Sequence, residues 1–346
     1  VRRPAAAAVL AVFALYAATA LAADDKKTYL PEEVTKAKTT VRGWDGSLSL
    51  GASSNFTQNS NVIGATDGMA WSFGAQAAGT LGYVRGQHEW ANALKLGETF
   101  TYTTALDEFV KTADELDWRT TYFYYLKPVP WLGPFGEFRF KTNIFPSYDV
   151  QSSDVTYLVD GVDYGTKNRF RLSVPFAPIY LQEAVGAFGR PVQKTQITVE
   201  IKLGFGAKHV FADGDYAVDD DKDTKNIIEI KALRDLHQGG PAAGVGAKGS
   251  VVGGKVQYSA LFEAMVPLIN NISEGDDRNA GELTNLLIEA GLSFKLVSWA
   301  SLDYQFKALR EPQLLDKWQV QNNLLLTFSY NLVKSRASET ADKTAK

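Results

Sequence analysis

Residues 194 to 209, KTQITVEIKLGFGAKH, change polarity at almost every step. Ile197, Val199, Ile201, Leu203, Phe205 and Ala207 form one file, and Lys194, Gln196, Thr198, Glu200, Lys202 and Lys208 form the other. A β-strand sends successive side chains to opposite faces, so one face here is apolar and the other charged. About nine to eleven tilted residues span a bilayer, and lipid offers no partner to an open sheet edge, so strands cross it only as a closed barrel. The same period of two recurs from about Trp44 to Val333. The reading is an all-β chain, a transmembrane antiparallel barrel with its apolar files toward lipid and its charged files toward the lumen.

Working outward from that segment, earlier strands are expected at about 44–57, 71–84, 88–104, 113–127 and 134–146. In the fourth, Leu116, Trp118, Thr120, Tyr122 and Tyr124 oppose Asp117, Arg119, Thr121, Phe123 and Tyr125. In the fifth, Phe138, Phe140 and Ile144 oppose Glu137, Arg139, Lys141 and Asn143. Phe170, Leu172 and Val174 alternating with Arg169, Arg171 and Ser173 suggest a sixth strand, and residues 194–209 are the seventh. Further strands are expected at about 225–236, 245–266, 281–298, 301–310 and 318–333, making about twelve, with ten or fourteen still compatible. Residues 175–192 break the pattern of short periplasmic turns and long outer loops, and are compatible with a flap, an internal plug or extensions of neighbouring strands. The last strand, WQVQNNLLLTFSYNLV, resembles the aromatic C-terminal strand that the barrel-assembly machinery recognises, although KSRASETADKTAK follows it.

Arg2 and Arg3, the apolar run from Ala5 to Leu21 and the small-residue site at Ala20-Leu21-Ala22 read as a secretory signal over residues 1–22. A polar periplasmic lead-in over 23–42, a barrel over 43–333 and a polar periplasmic tail over 334–346 complete the expected organisation. No second long apolar run suggests a helical span, and the absence of cysteine removes disulfides and thiolate chemistry. Trp44, Trp90, Trp118, Trp131, Trp299 and Trp318 fall near expected strand ends, where interfacial anchoring explains them.

Four segments carry a family resemblance: WDGSLSLGASSNFTQNSN from Trp44, ALKLGETFTY from Ala93, DELDWRTTYFYY from Asp114 and FGEFRFKTNIFPSYD from Phe135. Over roughly residues 40 to 333 the chain resembles an uncharacterised bacterial outer-membrane barrel family, domain of unknown function 3078, with Trp44, Asn55, Lys95 and Asp117 in the pattern. The resemblance implies a barrel in a Gram-negative outer membrane and no particular reaction.

Projecting the polar files inward gives a candidate lumen set of Asp117, Arg119, Glu137, Arg139, Lys141, Arg169, Arg171, Glu200, Lys202, Glu263 and Lys295. Both signs are present, so the set suits either a passage for small polar or anionic solutes or a lumen closed by its own side chains, an adhesion or envelope-organising barrel. An acidic outer loop with Asp219, Asp220, Asp221 and Asp223 offers oxygen ligands for weak divalent-ion binding or for bridging to lipopolysaccharide, and equally reads as a solvated surface. His88, His209 and His237 are placed at separate strand ends, with His237 by a periplasmic turn, too dispersed for catalysis or a three-histidine metal site. No cofactor, structural metal, enzyme activity or nucleic-acid partner is expected; the expected partners are outer-membrane lipids and lipopolysaccharide, the assembly machinery and small polar solutes.

Overall fold

The computed structural model describes residues 42–59, 68–104, 106–194, 196–220, 224–271 and 277–333. The expected leader, the tail and all but the last residue of the lead-in lie outside the described residues, as do Asp221 and Asp223.

The strands are β1 (Gly43–Asn59), β2 (Gly68–Arg85), β3 (His88–Thr103), β4 (Glu108–Tyr124), β5 (Leu132–Thr142) and β6 (Ser147–Val159). Then come β7 (Val162–Ser173), β8 (Ile179–Gln193), β9 (Thr198–Phe211), β10 (Tyr216–Val218), β11 (Ile227–Ala232) and β12 (Leu236–Val251). β13 (Val256–Met265), β14 (Ile269–Asn270), β15 (Asn285–Val297), β16 (Ala300–Glu311) and β17 (Leu315–Val333) complete the chain. Twelve of them, β1 to β5, β8, β9, β12, β13 and β15 to β17, form one antiparallel sheet. It closes on itself where β12 pairs with β13 and β17 with β1. Every wall strand therefore has two partners and no edge is left for lipid to meet. Among the described residues no helix is long and apolar enough to cross a membrane.

The tight connections at Gly86-Gln87, 194–197, 252–255 and 298–299 share one end of the barrel with Gly43 and Val333, and the long loops share the other. In outer-membrane-type barrels the short-turn end is the periplasmic one, and the two ends are called periplasmic and outer in that sense. All seven tryptophans are exposed on the outer surface of the chain. Trp44 packs on Tyr83 and Trp90 at centroid distances of 4.9 and 5.9 Å near the short-turn end. Ile201, Leu203 and Phe205 are likewise exposed, whereas Thr198, Glu200 and Lys208 on the alternate file are buried. Period-two patterning has put charge inside and hydrocarbon outside, the reverse of a soluble core.

The number of wall strands agrees with the expected twelve, but two members differ. The stretch expected as a sixth wall strand is β7, and the expected eighth is β11; with β6 and β10 they form a separate four-stranded sheet, ordered β10-β11-β6-β7, built from the two longest outer loops. Val155, Tyr157, Val159, Phe170 and Ile230 make its own small core. An amphipathic sheet with one face on a core and the other in water has the same period as a membrane strand, which is why Phe170 and Leu172 against Arg169 and Arg171 resembled one. The β6–β7 hairpin turns at Asp160-Gly161 with φ of 48° and 82°, a left-handed pair suited to Asp-Gly. In their place the wall gains β8, from the stretch read as flap, plug or extension, and the expected 245–266 strand divides into β12 and β13 around the 3-10 turn Val252–Gly254.

β8 and β9 approach closely where Gly186 pairs with Gly204. A Cβ on either glycine would run into backbone of the facing strand, Leu203 in one case and Val185 in the other. No larger side chain fits that wall without moving it.

Candidate lumen site

The inward files of neighbouring strands stack charges along the bore. β4 contributes Glu115, Asp117 and Arg119, β5 contributes Glu137, Arg139 and Lys141, and β9 contributes Glu200, Lys202 and Lys208. Register sets the pairing. Asp117 lies opposite Lys141 and next to Arg139, whose guanidinium grips both its oxygens, one of them through Nε at 2.9 Å. Glu115 takes Lys95 at 2.8 Å and Lys141 at 3.2 Å. Lys202 bridges Glu137 at 2.7 Å and Glu200 at 3.3 Å, and Lys307 of β16 pairs with Glu289 of β15 at 3.3 Å. Charges also face one another across the bore: Arg139 meets the fields of Glu263 and Glu289 from the opposite wall, and Arg119 that of Glu289, besides those of Asp117 on its own strand and Glu137 on the next.

The two ends are built differently from the middle. At the periplasmic end Arg190 of β8 is fully buried and reaches past β5 and β4 to Glu89 of β3 at 3.0 Å, while its Nε donates to Glu200 at 2.7 Å and Nη1 to the Tyr125 hydroxyl. Tyr125 itself donates to Glu89 at 2.5 Å. Phe123, Phe135 and Phe188 pack around this knot, with the guanidinium carbon 4.3 Å above the Phe123 ring. On the opposite wall Ser293 and Ser301 both donate to Asp303, and all three are buried.

At the outer end the turn between β16 and β17 folds inward. Glu311 is buried against Lys208, four wall positions away, Gln313 accepts from Gln238, and Leu314 joins Val210, Ala212 and Leu236 in an apolar cluster. Asn285 donates to Gln238 at 2.6 Å, tying β15 to β12 below that turn.

Exposure separates these zones. The ion pairs of the middle keep side-chain exposures from 12% at Arg139 and Asp117 and 17% at Lys202 to 27% at Lys141 and 32% at Lys95. Those at the ends keep 0% at Arg190, 3% at Glu89, 4% at Lys208 and 6% at Glu311. The charged middle of the bore is thus less buried than the ion pairs at its two ends.

Asp117, Arg119, Glu137, Arg139, Lys141, Glu200, Lys202, Glu263 and Lys295 stand on inward files of the wall. Arg169 and Arg171 do not; they are corrected to β7 in the outer sheet, where Arg169 lies 4.2 Å from the Tyr148 ring and 3.7 Å from Glu108. Sequence reading missed Arg190, Glu89, Lys95, Glu115, Glu289, Lys307 and Glu311 as lumen residues. Parity on β3, β4, β15 and β16 would have found most of them, and Arg190 was hidden because its strand was not recognised.

Outside the membrane-spanning part, burial pushes the Asp215 carboxyl above its usual range against the pull of the Val174 N–H and Arg171. Asp219 and Asp220 of the acidic loop border Glu229, to whose carbonyl the Asp219 N–H donates at 3.0 Å, and burial raises Asp220 as well. Among the described residues no group of three or more His, Asp or Glu is arranged to hold a metal ion. The histidines are less scattered than expected: His237 is corrected from a periplasmic turn to the outer end of β12, directly opposite His209.

No family model matches the sequence, and no curated protein does. Solved structures similar in architecture include the translocator domain of the autotransporter NalP from Neisseria meningitidis, at 12% identity and TM-score 0.37, covering 85% of this chain and 90% of that one. An outer membrane channel from Pseudomonas putida F1 has 11% identity and TM-score 0.39 over 86% of this chain and 99% of that one. The TodX monoaromatic hydrocarbon channel has 7% identity and TM-score 0.36 over 84% and 90%.

Proposed function

We propose that this outer-membrane-type barrel resides in the bacterial outer membrane and is a gated passage for small polar solutes, shut at both ends in the conformation described. The observation that carries the reading is the contrast between partly exposed ion pairs in the middle of the bore and fully buried ones at its ends, which we read as a hydrated chamber between two closures. A barrel packed merely to be solid would have no reason to leave its central charges wet. The solute class follows from the pairing: Arg139 is held by Asp117 and Lys141 by Glu115, and Arg169 and Arg171 lie outside the bore, so the chamber offers both signs and favours neutral or zwitterionic solutes over anions. The protein is a passage and not an enzyme in this reading. Its lipid-facing files meet outer-membrane lipids and lipopolysaccharide, its aromatic last strand is read by the assembly machinery, and membership of the domain of unknown function 3078 family belongs to the same proposal.

The test is single-channel recording of folded protein in planar bilayers. Wild type is expected to open rarely. Phe188→Ala, which removes the ring packed against both Phe123 and Tyr125, is expected to raise the open probability. In that background Arg139→Gln leaves Asp117 unpaired and is expected to shift the reversal potential toward cations. Correctly inserted Phe188→Ala barrels that also lack the Glu311–Leu314 closure and remain silent would overturn the proposal. The second reading, a closed barrel that displays a binding module, draws on the outer sheet having a core of its own; it predicts ligand capture that survives with no conductance at all.

A further inference from the structure

His209 and His237 face each other from adjacent wall strands near the outer rim. Their Nδ1 atoms are 3.0 Å apart, the ring centroids 5.2 Å and the ring planes 53° to each other. The contact is exposed on the outward face of the wall. Two imidazoles can share a single proton along this line, with one ring donating and the other accepting. From this geometry we propose that the pair is a two-histidine chelate for a divalent transition metal, with Cu²⁺ and then Ni²⁺ as its preferred ions.

Imidazole nitrogens bind such ions at about 2.0–2.1 Å, so two nitrogens at tetrahedral positions stand about 3.3 Å apart and two at right angles about 2.9 Å. The observed 3.0 Å is the separation of a hydrogen-bonded pair and is near both values, so the two rings would have to turn about χ2 to aim their lone pairs at a shared ion. Affinity of nitrogen sites among divalent first-row ions rises through Ni²⁺ to Cu²⁺ and falls again at Zn²⁺, and water would complete the shell.

The backbone beneath the pair is held in place. Asn271 accepts from the His237 N–H through Oδ1 at 2.8 Å and donates its own N–H to the His237 carbonyl at 3.2 Å. His209 is fixed between Leu181 of β8 and His237 of β12. The Phe211 ring closes one side at 5.7 Å from the His237 ring. Asp235, beside His237 in the chain, has its carboxylate occupied by the Ala212 and Asp213 N–H groups at 2.8 and 3.0 Å and does not compete for the imidazoles. The site faces outward, away from the lumen, so it is separate from solute passage.

The experiment is calorimetric titration of untagged, folded protein in detergent with CuCl2, NiCl2 or ZnCl2 alone, with electron paramagnetic resonance of the Cu²⁺ form. One Cu²⁺ per chain with two nitrogen ligands is expected, Ni²⁺ binding at least as tightly as Zn²⁺. His209→Gln and His237→Gln are each expected to weaken Cu²⁺ binding about tenfold or more, a loss of at least about 1.4 kcal/mol, while His88→Gln does not change it. Heat-dependent gel mobility confirms folding of each variant, and since both side chains are at the surface either one alone suffices for the test. Cu²⁺ binding that is undiminished in both variants, a signal with a single nitrogen ligand, or clear preference for Zn²⁺ over Ni²⁺ would overturn the proposal.

Discussion

Replacing Arg190 by leucine tests the periplasmic closure, because the structure apportions the damage between its partners. The guanidinium holds Glu89 at 3.0 Å and Glu200 at 2.7 Å in a region where it has no exposure of its own. Leucine restores part of the packing but leaves two carboxylates facing a dry, aromatic-lined pocket. Removing one member of a buried ion pair costs about 3–5 kcal/mol, chiefly because the remaining charge is uncompensated. The two carboxylates are unequal. Glu200 retains Lys202 at 3.3 Å, whereas Glu89 keeps the neutral Tyr125 hydroxyl at 2.5 Å. Arg190→Leu is therefore expected to lower unfolding free energy by about 3–5 kcal/mol, and Glu89→Gln added to it to recover more than Glu200→Gln does. Guanidinium unfolding of vesicle-inserted protein, followed by tryptophan fluorescence, gives the cycle. A loss below about 1 kcal/mol, the scale of an exposed pair, would refute the dry-closure argument, and so would equal rescue by the two glutamines.

Two further outcomes follow from the wall and the outer sheet. Gly204→Ala places a methyl against Val185 backbone and is expected to cost about 1–3 kcal/mol and to reduce the yield of the heat-modifiable folded form, while Gly97→Ala, where a Cβ meets nothing within 4 Å, serves as the neutral comparison. Asp215 has a raised folded-state value, so its contribution to stability is fully present below the ordinary carboxylate value and is lost as pH rises through the raised one; Asp215→Asn should flatten that pH dependence in the outer sheet, read by hydrogen exchange over residues 147–173, and an unchanged slope would count against burial as its cause.

How far the sequence could be read depended on what surrounds each strand. Where one face meets lipid and the other meets charge, as in Ile201, Leu203 and Phe205 against Glu200 and Lys202, alternation alone assigned both faces. β8 lacks that contrast. Its outward file includes Glu183, exposed near the outer end, and its inward file includes Phe188, buried in the closure, so polarity no longer marks side. β7 has the contrast for another reason, since Phe170 turns to a core shared with Tyr157 and Ile230. The two errors offset each other in number but not in position. The ion pairs were legible only as a list of inward charges, because pairing depends on register, and register between Asp117 and Lys141 or between Lys208 and the distant Glu311 is a property of the closed wall.

In an up-and-down barrel every strand reverses the direction of the chain, so leaving out one strand inverts the side of everything that follows until a second error restores it. Missing β8 and admitting β7 cancelled before β9, but admitting β11 to the wall placed His237 at the periplasmic end, although the residue stands across from His209 at the outer rim. Two of the three histidines looked unrelated for this reason alone. Each correction changes the chemistry as well as the topology: restoring β8 supplies Arg190 to the periplasmic closure, and moving β11 out of the wall returns His237 to the outer rim. A barrel sequence with one ambiguous strand is thus best read under both parities, comparing which cross-strand pairs each one creates.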